Sequence, residues 1–471
     1  MPPGISGVDM FRINNNRAAG AVLAISALLV TGCGSSEVGP EAIVLDSSAP
    51  PSAVSPSAPA PEPGKVQPLR SEAARGPAAN PVKAGEVMTD FGTAILAEVD
   101  KKSDAANVVV SPYSIYTVLA MVDQGAKGET AAQLEDLLGA DTAGQQGVVT
   151  AVDAGMAAAL AAGKDAESQL IAQGGAGDQP ATARPFAFDV ANSLWAQPGL
   201  GIKQEFLDAM AAGFGVGMYE TDFASDPEKA RAVINAWVSE HTADLIPELI
   251  PEGVVTVDTV LALVNAIHLS APWAAGFQAS GLAPFTAPSG VVQAATMSVT
   301  RPFGYAEGDD WQSVSVPYQG GELAMTVVLP AVGAWDKVGT ELPAVLARAT
   351  TTSGSGDIRL TMPKFTVDTA ADLVPVMAVL GVRDLFGAEA DLSGIAGGPG
   401  DITGSALVHQ AVVAVDEDGT EATAATAFLA EIWSLKSVDH EVTVDRPFYF
   451  VIHDTTTTAP LFIGQITDPT A

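Results

Sequence analysis

The sequence contains very little cysteine and very little positive charge. Its 471 residues include one cysteine, Cys33, and only 22 lysines and arginines against 55 aspartates and glutamates, so that the formal net charge is −33. A single cysteine excludes an internal disulfide framework. The shortage of basic residues argues against a protein that wraps nucleic acid, because phosphate binding requires a basic face. The same shortage argues against a polybasic surface that binds membranes or heparin, and no basic helix is recognisable, so that we expect no heparin partner.

Signatures of catalysis and of cofactor binding are also missing. The sequence has no G-x-S-x-G, H-E-x-x-H, C-x-x-C, P-loop or G-x-G-x-x-G pattern. None of its histidines pairs at helical spacing in a metal-ligand pattern; they are His241, His268, His409, His440 and His453. The sequence therefore predicts neither an enzyme nor a metal or cofactor site. Its apolar content of 48% nevertheless suffices for a large folded core.

The N-terminus has the pattern of an export signal. Arg12 and Arg17 precede an uncharged run over residues 18–32, which is too short for a comfortable membrane span and fits a secretory signal peptide. Met1 and Met10 are alternative starts, and either one leaves this signal complete. We therefore predict that the protein is exported and that residues 1–32 are removed.

The end of the signal resembles the bacterial lipobox, since it reads Val30-Thr31-Gly32-Cys33. By this resemblance Cys33 would be lipidated and would become the first residue of the mature chain. Gly34 stands where an aspartate often retains lipoproteins at the inner membrane, so that the predicted location is the outer membrane or the cell surface. The alternative is an ordinary signal peptide, which would leave the protein secreted. The lipid is the only membrane contact that we expect.

The segment after Cys33 is rich in proline. Ten of the 32 prolines lie between Pro40 and Pro81, among alanine, serine and glycine. Such a composition does not bury enough surface to offset the entropy of ordering the chain. We therefore predict a disordered tether over residues 33–85, followed by one folded domain over residues 86–471.

The folded part predicts an α+β domain. Val87, Phe91, Ile95 and Val99 recur at a helical spacing, and Ser111 followed by Pro112 is typical of the start of a second helix. A third helix is predicted over residues 130–138. Strands are predicted over residues 323–329, 358–365, 412–415, 448–452 and 461–466. Because helices dominate the first half and strands the second, an α+β fold is favoured over alternating βαβ units.

One segment near the C-terminus, residues 417–434, reads EDGTEATAATAFLAEIWS. If it is a strand, Thr420, Ala422 and Ala424 begin one face that stays small or apolar, while Glu421 and Glu431 lie on the other face. Such a strand could enter between two existing strands without burying a charge. The alternative is an alanine-rich surface helix, which the composition by itself favours.

Residues 86–471 resemble the serpin family. The resemblance rests on motifs that occur in the family order. They are the stretch from Asn107 to Ile115, Asn192-Ser-Leu-Trp195, Asn265-Ala-Ile267 with Trp273 and Phe277, Val316-Pro-Tyr318, Met362-Pro-Lys-Phe365, Ala390 to Ile395, His409 to Thr426, Arg446-Pro-Phe448 and Pro460 to Gly464. The resemblance implies a serpin fold with about nine helices, three β-sheets and an exposed reactive-centre loop that can insert into the central sheet. It places this loop at about residues 417–440.

The resemblance also implies how such a protein would act. The expected function is suicide inhibition of serine endopeptidases, with cysteine endopeptidases as an alternative target: the protease forms an acyl-enzyme, and the cut loop inserts as a new strand. Insertion needs a hinge without proline and without charge on the inserting face. The hinge residues are Glu417, Gly419, Thr420, Glu421, Ala422, Thr423, Ala424 and Ala425. The alternative is a non-inhibitory serpin that acts as a binding or chaperone-like surface protein. A monomer is expected.

The sequence leaves two candidates for the bond that is cut. Counting seventeen residues from Glu417 reaches Trp433–Ser434, which would suit a chymotrypsin-like protease. Counting back from Pro447 reaches Lys436–Ser437, which would suit a trypsin-like one. We favour the first, because the length of the inserted strand determines where the protease ends.

Five further residues match positions that control opening of the sheet in the family. They are Ser111, Ser114, Asn265 and His409, which match a shutter cluster beneath the sheet, and Trp273, which matches a tryptophan at the breach where the loop enters.

Overall fold

The computed structural model describes residues 68–76, 78, 80–174, 186–242, 244, 246–352, 356–420 and 438–471. The predicted signal peptide, Cys33 and most of the predicted tether lie outside the described residues.

The described residues form nine α-helices, in agreement with the expected number. They are α1 (Pro81–Lys102), α2 (Pro112–Asp123), α3 (Gly128–Leu138), α4 (Thr142–Gly174), α5 (Gln204–Phe214), α6 (Pro227–His241), α7 (Trp335–Thr340), α8 (Leu342–Ala349) and α9 (Val374–Val379). The start of α2 follows from local sequence: Ser111 is the N-cap, and its hydroxyl accepts a hydrogen bond from the Ser114 N–H. Helices α3 and α5 end at Gly139 and Gly215, which adopt the left-handed conformation.

Fifteen strands complete the described part of the fold. They are β1 (Asn107–Val110), β2 (Ala187–Ala196), β3 (Tyr219–Glu220), β4 (Leu261–Pro272), β5 (Gln278–Ala287), β6 (Gly290–Gly308), β7 (Trp311–Pro317), β8 (Leu323–Pro330), β9 (Gly356–Pro363), β10 (Phe365–Asp372), β11 (Gly404–Val415), β12 (Gly419–Thr420), β13 (His440–Thr443), β14 (Phe448–Asp454) and β15 (Pro460–Ile466). The helices and strands predicted from residue periodicity are all present, which confirms the α+β class.

The central sheet has six strands in the order β10-β11-β12-β4-β2-β3. Strands β4 and β11 are parallel and pair directly from Leu261 and Gly404 to Ile267 and Ala411. Beyond this paired stretch the short strand β12 lies between them, antiparallel to both. We call the line along which β4 and β11 meet the seam.

The second sheet has nine strands and shows how the three expected sheets are connected. The long strand β6 pairs with β9 through residues 296–303 and with β7 through residues 304–308. One continuous sheet therefore has two sections, which share β6. The three sheets expected from the resemblance correspond to the central sheet and these two sections.

The central sheet is buried on both faces. Along β4, Leu263 and Ile267 belong to the larger hydrophobic core, whereas Val264 and Ala266 belong to a second core that includes residues of α6. This alternation follows from the two-residue period of a strand. It explains why β4 is buried along almost its whole length rather than at every second residue.

The folded part begins earlier than the predicted boundary at residue 86. Helix α1 starts at Pro81, and Leu69 exchanges two backbone hydrogen bonds with Met218, at 2.6 and 3.0 Å. The assignment of all of residues 33–85 to a disordered tether is therefore wrong for its last part. Composition predicted the tether, but these residues find hydrogen-bond partners that lie far along the chain.

Candidate functional site

The seam ends where β4 and β11 separate, beyond Ile267 and Ala411. This end already holds β12, which consists of the first two residues of the segment that is predicted to insert. Gly419 pairs with Pro272 of β4, and Thr420 pairs with Ala271 of β4 and with Val415 of β11. Thr420 is buried, with 1% of its surface exposed. Its hydroxyl shares a 2.5 Å hydrogen bond with the Tyr318 hydroxyl. The uncut chain therefore contains a short strand at the place where a longer one would have to enter.

A tight turn joins β11 to β12. The Asp416 carboxylate accepts hydrogen bonds from the N–H groups of Asp418 and Gly419, at 2.9 and 3.2 Å, and the Asp416 N–H donates to the Gly419 carbonyl. Asp416 thus stabilises the reversal of the chain. The neighbouring Glu417 forms an ion pair with Lys364 at 3.1 Å. Asp416 and Glu417 therefore both stabilise the turn, one by hydrogen bonds within it and the other by a contact outside it.

Trp273 lies directly against this turn. Its indole Nε1 donates to the Asp416 carbonyl at 2.9 Å, and its backbone N–H donates to the Asp418 carbonyl at 2.9 Å. The indole ring stacks on Tyr318, with centroids 4.5 Å apart and planes 10° apart. Phe277 adds a backbone N–H bond to the Glu417 carbonyl at 2.8 Å. The structure therefore places Trp273 at the end of the seam that holds β12.

The four predicted shutter residues are brought together beneath the central sheet. His409 of β11 contacts Asn265 of β4 through Nδ1, at 2.6 Å from Asn265 Oδ1, and the Ser111 N–H donates to His409 Nε2 at 3.2 Å. Ser114 donates to Asn192 Oδ1 at 2.6 Å, and Asn265 Nδ2 lies 3.3 Å from the same oxygen. We call Ser111, Ser114, Asn192, Asn265 and His409 the buried polar cluster.

The hydrogen bonds of His409 define its tautomer and its charge. A backbone N–H can only donate, so Nε2 must be the acceptor and Nδ1 must carry the proton that is given to Asn265. Burial lowers the pKa of His409 to about 3, because no solvent stabilises the imidazolium. The cluster therefore connects β4 and β11, the two sides of the seam, through a neutral histidine.

Sequence reasoning missed three residues at this site: Asn192, Tyr318 and Lys364. Asn192 faces Asn265 directly in the β2–β4 register, and its side chain joins β2 to the cluster. Two asparagines within mostly apolar strands were a visible signal, because a buried amide needs hydrogen-bond partners. The partnerships of Tyr318 with Thr420 and of Lys364 with Glu417 gave no sequence signal.

The remaining predicted residues lie outside the described part of the chain. They are Cys33, the hinge residues Glu421, Ala422, Thr423, Ala424 and Ala425, and the candidate cleavage positions Trp433, Ser434, Lys436 and Ser437. The two ends of this segment are described: Thr420 lies in the central sheet, and His440 begins β13 of the second sheet. Among the described residues, no group of three or more histidine, cysteine, aspartate or glutamate side chains is arranged to hold a metal ion.

Comparisons with known proteins agree with this geometry. The family model described as "Serpin (serine protease inhibitor)" matches residues 86–469. The leukocyte elastase inhibitor of Bos taurus is 33% identical over 395 residues, which cover 81% of this chain and 98% of the bovine protein. Serpin B3 of Homo sapiens is 31% identical, over 78% of this chain and 95% of the human protein. Among solved structures, Serpin48 of the insect Tenebrio molitor is 27% identical with a TM-score of 0.66, over 82% of this chain and 98% of the insect protein.

Proposed function

The chain belongs to the serpin family, and we propose that it is a suicide inhibitor of serine endopeptidases. The family model describes inhibitors rather than enzymes, in keeping with the missing catalytic signatures. In the proposed reaction, the serine hydroxyl of the protease attacks the carbonyl of the scissile peptide bond in the loop. The C–N bond breaks, the amine leaves as the N-terminus of the C-terminal peptide, and an acyl-enzyme ester forms. The new N-terminal limb of the loop then inserts along the seam and carries the attached protease with it. Deacylation slows because the catalytic groups of the protease are displaced.

The observation that carries the proposal is the position of Gly419 and Thr420 between β4 and β11. Each of the two residues is already in antiparallel register with β4, so that a strand continuing from Thr420 would enter the seam in line. Insertion would replace one parallel ladder by two antiparallel ladders, and each added hydrogen bond contributes about 1 kcal/mol. The residues that follow in sequence, from Glu421 to Ala430, place no proline and no charge on the inserting face.

The proposed targets are proteases with a deep apolar specificity pocket. Cleavage at Trp433–Ser434 would present an indole to a chymotrypsin-like pocket, and cleavage at Lys436–Ser437 would present a cation to a trypsin-like pocket. Several relatives carry the name leukocyte elastase inhibitor, which supports a serine endopeptidase as the target class.

We further propose that Cys33 carries a lipid, and that a flexible tether holds the inhibitor ~40 Å or less from the membrane.

One experiment tests the inhibitory function. The purified full chain is mixed with chymotrypsin or trypsin, and the products are separated on a denaturing gel, with an active-site-blocked protease as the control. A complex that survives denaturation supports the trap. Complete cleavage without a complex would overturn it and favour the non-inhibitory alternative. The mass of the released C-terminal peptide, which begins at Ser434 or Ser437, identifies the bond that is cut.

The proposed anchor has a separate test. The full gene is expressed in a bacterial host with and without Cys33→Ser, and the cells are fractionated after labelling with a radioactive fatty acid. Label in the unsubstituted protein and its loss in Cys33→Ser supports lipidation. An unlabelled, soluble protein in both cases would contradict the anchor without affecting the inhibitor proposal.

A further inference from the structure

A short segment ahead of the family domain is attached to it at several points. Residues 68–76, which we call the strap, precede the stretch that the family model matches, residues 86–469. Leu69 exchanges two backbone hydrogen bonds with Met218, and the Gly76 N–H donates to the Ala212 carbonyl at 2.7 Å. The Ser71 hydroxyl donates to Asp208 of α5 at 2.5 Å. These contacts run along α5 and the residues that follow it.

The strap reaches the edge of the central sheet. Met218 directly precedes β3, whose Tyr219 pairs with Trp195 of β2 at the end of the sheet. Gly217 allows the close approach, because a Cβ at this position would lie 2.1 Å from the Leu69 carbonyl oxygen. The strap is therefore fixed to the strands on the β4 side of the seam.

A second set of contacts joins the strap to the helices that support the sheet. The Arg75 guanidinium forms an ion pair with Asp153 of α4 and donates to the Gly213 carbonyl at 3.3 Å. The other Asp153 oxygen accepts a hydrogen bond from the Tyr113 hydroxyl of α2. Tyr113 is buried, and in the sequence it stands between Ser111 and Ser114 of the buried polar cluster. Arg75 is thus connected, through the side chains of Asp153 and Tyr113, to α2, which with its N-cap Ser111 carries two of the five residues of this cluster.

Strand insertion would put these two attachments in conflict. A new strand needs one interstrand spacing, about 4.8 Å, between β4 and β11. Helix α2 packs against β2 and β4, so that strands on the β4 side have to slide over it when the seam opens. The strap is bonded to the edge of the moving strands at Met218, and to α4 through the ion pair of Arg75 with Asp153. Asp153 in turn bonds to Tyr113 of α2. Its contacts would have to break or shift before the sheet expands.

We propose that the strap restrains the central sheet of the uncut protein and that Arg75 is the positioning residue of this restraint. The inference rests on the proposed function, because it concerns the same opening of the seam. Since the strap is also the point at which the N-terminal segment joins the domain, a cut within residues 68–76 would release the domain from that segment and relax the sheet in one event.

The test compares full-length variants of the strap without using a protease. A synthetic peptide with the sequence of residues 420–431 is offered to each protein, and its uptake is followed by native electrophoresis and by the shift in melting temperature. Arg75→Gln is the test variant. Arg70→Gln is the matched control: it makes the same charge change in the strap at an exposed residue that forms no ion pair or hydrogen bond within the described part of the chain.

We expect Arg75→Gln to take up the peptide about three- to tenfold faster than the unsubstituted protein, and Arg70→Gln to stay within about twofold of it. Asp153→Asn should accelerate uptake to a similar extent. The double variant should add little, because both changes remove the same interaction, the ion pair between Arg75 and Asp153. If Arg75 only stabilises the fold and is not coupled to the seam, Arg75→Gln would lower the melting temperature and leave the uptake rate unchanged.

Two outcomes overturn the proposal, and they are distinguishable from each other. Equal uptake by Arg75→Gln, Arg70→Gln and the unsubstituted protein contradicts the strap alone. Failure of the unsubstituted protein to take up the peptide or to form a protease complex contradicts the proposed function, and the strap proposal with it. If Arg75→Gln does not fold, Leu69→Pro replaces it, because this change removes the Leu69 N–H that donates to Met218.

Discussion

Gly419 lies directly against the main chain of Ala271. A Cβ atom at Gly419 would be 2.2 Å from the Ala271 carbonyl oxygen, a distance that no side chain tolerates. Glycine is therefore required if the hinge is to pass between β4 and β11 in the uncut protein. Thr420 follows in register with Ala271, so that the strand that we propose to insert would start from a position already defined in the uncut protein.

Thr420→Arg should convert the inhibitor into a substrate. The side chain at this position is buried between two strands, and an unpaired cation there costs several kcal/mol. We expect cleavage at an unchanged rate and a loss of covalent complex of about tenfold or more on a denaturing gel. Thr420→Val is the control, since it keeps the shape and removes only the hydroxyl bond with Tyr318. Equal yields of complex from Thr420→Arg and Thr420→Val would contradict insertion.

The specificity of the inhibitor should depend on Trp433. Trp433→Ala should slow complex formation with a chymotrypsin-like protease by about 100-fold, because an aromatic side chain no longer fills the specificity pocket. Lys436→Ala is the matched variant and should leave that rate unchanged. If Lys436→Ala instead abolishes complex formation, with trypsin as the reactive protease, the bond cut is Lys436–Ser437.

The cut protein should be more stable than the intact one. If residues after Thr420 join β4 and β11 as a full strand, the added hydrogen bonds and burial should raise the melting temperature by about 10 °C or more. Calorimetry of the intact and the cleaved full chain measures this difference. Cleaved Thr420→Arg serves as the reference for a cut without insertion. A cleaved wild-type protein that melts with the intact one would show that the strand never entered.

Acid should weaken the buried polar cluster. Burial lowers the pKa of His409 from about 6.5 to about 3, so that below pH 6.5 the unfolded chain binds the proton that the folded chain excludes. The stabilising contribution of His409 is therefore complete above pH 6.5 and is lost as the pH falls toward 3, by ~1.4 kcal/mol per pH unit. His453, whose pKa burial also lowers, and Asp123, whose pKa burial raises, titrate in the same range.

A variant separates His409 from these other groups. His409→Asn keeps His453 and Asp123, and the difference in free energy of unfolding between the wild type and this variant isolates the histidine. We expect the wild-type advantage to shrink as the pH is lowered from 7 to 5, in urea titrations at each pH. A constant difference over this range would mean that His409 is not buried as a neutral residue.

Much of the fold could be predicted from the sequence because its signals are local. Ser111 and Pro112 start α2 by capping and by a fixed backbone angle, whatever the rest of the chain does. Strands β8, β9, β11, β14 and β15 are recognisable from short apolar runs. The site was less predictable: the shutter residues came from resemblance. The contacts of Tyr318 with Thr420 and of Lys364 with Glu417 became visible only in the structure.

The sequence by itself determined the α+β class and the family, because periodicity, capping and motif order depend on neighbouring positions. It also predicted a hinge of small residues. Only the tertiary structure decided that Thr420 lies in the seam, that Ser111 meets His409 across 298 positions and that Arg75 reaches Asp153. These contacts join residues that the chain separates widely. Their formation depends on how the sheet and helices pack, and no local pattern encodes it.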